Sequence, residues 1–133
     1  MKFNEIAEKA LEKHYEWQGK IEMISRAEIN SPEELALAYT PGVAAACLEI
    51  EKNPALSFRL TRRGKIIAVV TDGSAVLGLG NIGALAAMPV MEGKCALFKR
   101  FVNVDAVPLC LNTQNTDEIV ETVERISGSF GGI

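Results

Sequence analysis

The 133-residue sequence has little of what builds metal or disulfide frameworks: one histidine, His14, and three cysteines, Cys47, Cys95 and Cys110. Their odd number, wide spacing and lack of a Cys-x-x-Cys pair exclude a disulfide scaffold and argue against a zinc site. Such cysteine use fits a reducing compartment, so a cytoplasmic location is expected. Basic charge is scarce too. Fourteen Lys and Arg against 17 Asp and Glu leave a net charge of −3 and a pI near 5.2. No nucleic-acid partner is expected, because such binders carry a basic patch or stripe. Met1-Lys2-Phe3-Asn4-Glu5 runs straight into mixed charged and apolar residues, so no secretory leader is expected.

A long apolar run is the remaining absence to test. Residues 73–91 carry no charge and are numerous enough to cross a bilayer. They include Gly73, Ser74, Gly78, Gly80, Asn81, Gly83 and Pro89, too many helix-weakening and polar positions for a spanning helix. The segment reads as buried core and loop, with no membrane partner. What is present suits one soluble globular domain over 1–133: 48% hydrophobic and 23% charged residues, at a length near the ~150 of an ordinary domain.

Phe3, Ile6, Ala7, Ala10, Leu11, His14 and Tyr15 recur at helical spacing and predict an amphipathic helix ended by Gly19. His14 reads as a half-buried stripe residue, since it has no partners for metal ligation. Ile21 to Ser25 reads as a short strand or extended linker. Ser31-Pro32-Glu33-Glu34 opens a second helix with a capping serine, a proline at the first helical position and a following glutamate. That helix must stop before Thr40-Pro41-Gly42, which leaves Tyr39 at its end. A third helix spans Val43 to Glu51. Ile66-Ile67-Ala68-Val69-Val70, apolar on both faces, is the best strand and is typical of parallel sheets covered by helices. A helical tract from Ala84 to Val102 is expected to be interrupted by Pro89. Ala106 to Leu111 reads as a second strand despite Pro108. Asn115 caps a last helix that turns Ile119, Val120, Val123 and Ile126 inward. Ile133 looks like the start of another buried strand, which suggests a piece of something longer. The whole predicts an α/β fold: a three-layer α/β/α sandwich with a mostly parallel sheet and an N-terminal helical segment.

Three places could carry chemistry. Gly78-Leu79-Gly80-Asn81-Ile82-Gly83 has the GxGxxG spacing that brings backbone close to a pyrophosphate. Its context is imperfect, because residues 71–77 separate it from the strand and Asp105 begins a strand instead of ending one. A loop whose glycines allow close packing is the competing reading. Thr71-Asp72-Gly73-Ser74 lies just past the best strand, where open α/β sheets place ligands; Asp72 is either functional or a turn-former. Lys94 sits in the apolar context Glu92-Gly93-Lys94-Cys95-Ala96-Leu97-Phe98. A desolvated lysine can act as a general base, although most lysines are solvated.

One set of segments bears on these alternatives together. Leu37-Ala38-Tyr39-Thr40-Pro41-Gly42-Val43-Ala44 resembles the YTPGVA signature of malic enzymes. Residues 70–83, from Val70-Thr71-Asp72-Gly73-Ser74 to Gly83, resemble that family's second signature, and Gly93-Lys94 its catalytic-lysine segment. The three occur in the family's order, with similarity along nearly the whole chain. The sequence resembles the N-terminal domain of a small-subunit, bacterial-type malic enzyme.

The resemblance implies oxidation of malate with NAD or NADP and decarboxylation to pyruvate on Mg or Mn. It implies Lys94 as the general base for the C2 hydroxyl and Tyr39 as the general acid that protonates C3 of enolpyruvate. Lysine and tyrosine side chains both titrate near pH ~10 when free, so work near neutrality asks for burial or mutual proximity. Larger eukaryotic relatives carry a malate-gripping arginine where this sequence has Ala75, which leaves Ser74 and nearby amides as candidates for that grip. The family's Glu-Asp metal ligands and its nucleotide domain are expected beyond Ile133. Accordingly no metal or cofactor ligand is assigned within 1–133, and the chain by itself is expected to be inactive. Family members are dimers or larger, so a homo-oligomer is implied. Malolactic activity, a non-catalytic dimerisation or regulatory module, and a stand-alone nucleotide-binding domain are the alternatives.

Overall fold

The computed structural model describes residues 3–133, so Met1 and Lys2 lie outside it, as does the side chain of Phe3 from the expected helical stripe. Four helices come first: α1 (Phe3–Trp17), α2 (Pro32–Ala38), α3 (Val43–Lys52) and the short α4 (Ser57–Leu60). They are followed by β1 (Ile66–Thr71), α5 (Ala84–Val102), β2 (Asp105–Cys110) and α6 (Thr116–Ile126). The α/β class is as expected, and the sheet is parallel: Ile66 stands opposite Asp105 and Thr71 opposite Cys110.

Gly131 and Gly132 return along the free edge of β1. The Gly131 N–H donates to the Ile66 carbonyl (2.9 Å), and the Ala68 N–H donates to the Gly132 carbonyl (3.1 Å). Gly132 thereby bridges Ile67 in parallel, one residue before the strand start that Ile133 suggested. β1 is central, as a strand apolar on both faces should be. α5 packs across β1 and β2 and buries Ala87, Met91 and Cys95, one turn apart. These residues form the buried core with Val76 and with Ala68 and Ala106, which the register places on opposite faces of the sheet.

Several expectations need correction. α5 runs unbroken through Pro89. The proline removes the donor for the Leu85 carbonyl, but Leu85 is exposed, so water can take that acceptor. β2 accepts Pro108 for a reason of register. The Leu111 N–H donates to the Thr71 carbonyl (2.8 Å), so odd-numbered amides of this strand face β1 and the Pro108 nitrogen faces away from it. Ile21 to Ser25 forms no strand, and Met23 and Ile24 stand exposed. In α1 only Ala10 and His14 of the stripe are partly covered, while Ile6, Leu11 and Tyr15 are exposed. His14 Nδ1 lies 2.6 Å from the Ala10 carbonyl, which fits its reading as a stripe residue. Val120 is exposed as well, whereas Ile119, Val123 and Ile126 are half-buried. Helical periodicity marks a face correctly, yet whether that face is covered depends on another element reaching it.

Candidate functional site

The C-terminal ends of β1 and β2 meet in two loops. β1 delivers Thr71 and Asp72, whose carboxylate accepts the Ser74 N–H (2.9 Å) and the Ser74 hydroxyl (2.7 Å). These two bonds, the backbone one first, hold the Asp72 carboxyl below its usual range. Asp72 therefore does behave as a turn-former, and Ser74 already spends its hydroxyl proton on it. At Gly73 the loop closes on itself. The Gly73 carbonyl accepts the Ile82 N–H (3.1 Å) and the Gly83 N–H (3.2 Å). Gly73 has φ +72°, and a Cβ there would lie 2.1 Å from the Gly83 carbonyl oxygen. Only glycine fits. Within the loop Val76 and Gly80 exchange backbone bonds, and Leu77 and Leu79 stand in solvent.

The GxGxxG segment thus folds as the outer part of this closed loop, not as a tight strand-to-helix turn. A Cβ at Gly78, Gly80 or Gly83 would meet open space, so their positive φ explains these glycines, not close packing. The expected alternative of glycines kept for close packing is corrected on that point. Asp105 lies at the opposite end of the sheet, where it accepts from Arg62 Nε (2.8 Å) and Lys99 Nζ (2.8 Å). Those bonds, Lys99 first, hold its carboxyl below the usual aspartate range. Two side chains join the loops that sequence reading did not single out together. Asn81 and Gln114 exchange amide hydrogen bonds of 3.0 and 2.9 Å. Asn81 falls inside the fingerprint, but nothing in the sequence marks Gln114.

Tyr39 sits where the helix signals put it. Ser31 caps α2 by accepting the Glu34 N–H (3.1 Å), and the Glu34 carboxylate in turn accepts the Asn30 N–H (2.7 Å). The helix ends at Tyr39, whose N–H donates to Leu35 (2.9 Å) and whose carbonyl accepts from Val43 (2.7 Å). Between them the Thr40–Pro41 bond is cis. A Cβ at Gly42 would lie 2.5 Å from the Ala36 carbonyl, so the turn packs directly on α2. This turn presents Tyr39 at 65% exposure.

Lys94 lies on α5 between the buried residues Met91 and Cys95, at the rim of the helix's packed face, and is exposed. Beside it, Glu92 accepts the Lys20 N–H (3.2 Å) while Lys20 Nζ donates to the Pro89 carbonyl (2.8 Å). This pins the segment after α1 onto α5. Neither the Tyr39 hydroxyl nor the Lys94 amine has a hydrogen bond or ion pair among the described residues, with each other or with any third group. The burial that a tuned acid and base would need is not supplied by the surroundings described. Among the described residues no three His, Cys, Asp or Glu side chains group as a metal site. No helix among them is long and apolar enough to cross a membrane.

Known proteins resemble this chain along most of its length. The family described as "Malic enzyme, N-terminal domain" matches residues 18–128. The bifunctional malic/malolactic enzyme of Bacillus subtilis is 51% identical over 128 residues, covering 96% of this chain and 31% of that protein. The NAD-dependent malic enzyme of Geobacillus stearothermophilus is 51% identical over 115 residues, covering 86% of this chain and 24% of that protein. A crystal structure of malic enzyme from Pyrococcus horikoshii superposes with a TM-score of 0.92 at 51% identity, over 96% of this chain and 30% of that one. The chain therefore spans about a third or less of the length of the relatives it matches.

Proposed function

The chain belongs to the malic enzyme family by its N-terminal domain, and from that premise we propose that it supplies the proton-transfer groups for oxidative decarboxylation of malate to pyruvate. Residues 1–133 form that acid–base domain. Lys94 takes the proton from the C2 hydroxyl, and Tyr39 gives a proton to C3 of enolpyruvate after CO2 has left. Hydride acceptance falls to NAD or NADP and Lewis-acid chemistry to Mg or Mn. No ligand of either group is proposed within residues 1–133. Ser74 is the side chain proposed to meet a malate carboxylate, in place of the arginine absent at Ala75; to do so its hydroxyl must turn its one proton from Asp72 to the substrate.

One observation carries the reading. Tyr39 and Lys94, at the signature positions, both expose reactive atoms that no described residue engages. A base must be free to receive a proton and an acid free to give one. Exposure also means that desolvation has to come from a surface laid over them, a role proposed for a second copy of the chain in a homo-oligomer; the free cysteines fit a cytoplasmic location.

A chimera tests it, with these residues replacing the matching segment of the Geobacillus stearothermophilus enzyme. Lys94→Ala should lower malate oxidation by about 10²- to 10⁴-fold, the usual loss for a general base. Tyr39→Phe keeps the ring and its packing. It should slow exchange of the pyruvate methyl protons with deuterated solvent more than it slows oxidation. Full activity of Tyr39→Phe in both partial reactions would reduce Tyr39 to a packing residue beside Pro41.

A further inference from the structure

We propose that the concavity between the segment after α1 and the approach to β1 binds a small phosphorylated anion. It is an open hollow of about 420 Å³, lined by Arg26, Arg59, Arg62 and Lys65 on walls formed by Phe58, Leu60 and Thr61. That volume lies within the range of small-molecule sites. Four of the 14 lysines and arginines of a chain with net charge −3 converge on this one hollow, and no carboxylate lines it. Arg26 is far from the others in sequence, so the fold, not the local composition, assembles the cluster.

The charges there are largely unanswered. The side chains of Arg26, Arg59 and Lys65 make no ion pair or hydrogen bond among the described residues. Arg62 does bond Asp105, through Nε (2.8 Å) and Nη2 (2.6 Å). That carboxylate is shared with Lys99, so it cannot neutralise the rest. Crowded like charges repel one another, and an anion among them removes that repulsion. Guanidinium groups present paired donors that match phosphate and carboxylate oxygens alike, and four cations around one hollow favour a multiply charged phosphate over a singly charged carboxylate.

The walls are held before any ligand arrives. The Thr61 hydroxyl donates to the Ser57 carbonyl (2.6 Å), and the Arg63 guanidinium lies 4.1 Å over the Phe58 ring from outside the hollow. Arg62 is fixed by Asp105. Preorganised donors lose less freedom on binding. The hollow adjoins Lys65, immediately before β1, whereas Asp72 follows the strand's other end. Six residues of strand separate the two by about 20 Å. The proposal stands independently of the roles given to Tyr39 and Lys94.

Inorganic pyrophosphate is the probe, titrated calorimetrically into the 133-residue chain at low salt and again near 0.15 M. Saturable binding of one pyrophosphate per chain, weakened by salt, is expected. Arg26→Gln and Arg59→Gln should each weaken it at least about tenfold, the effect of losing one charge-assisted contact. Both side chains are exposed and unbonded, so their loss leaves the fold intact, as circular dichroism would verify. Lys9→Gln, a like charge change on α1 away from the hollow, should leave affinity unchanged. Absence of saturable binding, or equal weakening by Lys9→Gln, would overturn the proposal. Tighter binding of a single-stranded oligonucleotide than of pyrophosphate would also overturn it, in favour of an extended nucleic-acid surface.

Discussion

Gly73→Ala isolates the closure of the loop that follows β1. Two penalties act at this position. A residue with a Cβ at φ +72° pays about 1–2 kcal/mol for the left-handed conformation. In addition the new methyl would sit 2.1 Å from the Gly83 carbonyl oxygen, against backbone that has no rotamer to change. The loop base must open, and the bonds from Ile82 and Gly83 to the Gly73 carbonyl go with it. Each such bond contributes about 0.5–1.5 kcal/mol, so the total loss is about 2–5 kcal/mol. At this chain length that lowers the melting temperature by about 6–20 °C. Gly78→Ala is the internal comparison. Its φ is +79° but its Cβ would meet nothing, so only the conformational penalty of about 1–2 kcal/mol applies. Thermal and urea unfolding of the two variants beside the parent chain supply the readout. Equal destabilisation by both would mean that the Gly73–Gly83 approach is not what closes the loop, and the reasoning would fail.

Three further outcomes are expected. Asp105 is held ionised by Lys99 and Arg62, so its stabilisation is present above the unfolded aspartate value and lost as pH falls through the lower folded value. Asp105→Asn should therefore be less stable than the parent at pH 7, with the gap closing below about pH 4; a gap that persists at pH 2 would refute the ion-pair account. Cys47 is exposed, while Cys95 is 1% exposed with a thiol pushed up by burial and then by Glu92. Alkylation followed by mass spectrometry should label Cys47 first and Cys95 only on unfolding; early labelling of Cys95 would contradict the packing of α5. The exposed Ile6, Leu11, Tyr15 and Trp17 of α1 predict self-association, and Leu11→Glu with Tyr15→Glu should shift sedimentation toward monomer. A parent chain that already sediments as a monomer without binding a hydrophobic dye would remove that expectation.

The parts of the fold legible in the sequence were those decided within a few residues. Ser31, Pro32 and Glu34 start α2 by satisfying its first amides, and Thr40-Pro41-Gly42 stops it, so Tyr39 could be placed at a helix end from local chemistry alone. Five consecutive apolar residues from Ile66 sufficed for β1, because few other structures bury both sides of such a run. Pro108 was harder. Its fitness for β2 depends on which of two alternating directions its nitrogen faces, and that is known only once Leu111 is seen to bond Thr71. The cluster of Arg26 with Arg59, Arg62 and Lys65 was less legible still, since a basic patch assembled across the fold leaves no run in the sequence. Asn81 and Gln114 were invisible as a pair for the same reason.

Burial differs from both cases. Ile6, Leu11 and Val120 have the right spacing on α1 and α6, yet they are exposed, while Leu77 and Leu79 are exposed on a loop whose backbone is well bonded. Spacing records that a face is apolar and says nothing about what reaches it. Tyr39 and Lys94 pose the same question in chemical form. As residue types they need desolvation to exchange protons near neutral pH, and the described residues leave both open. The exposed leucines and the proposed acid and base are thus alike in needing a surface laid over them. If one surface buries the apolar area and tunes the proposed acid and base in the same step, Leu11→Glu with Tyr15→Glu should depress activity in the chimera; unchanged activity would separate the two roles.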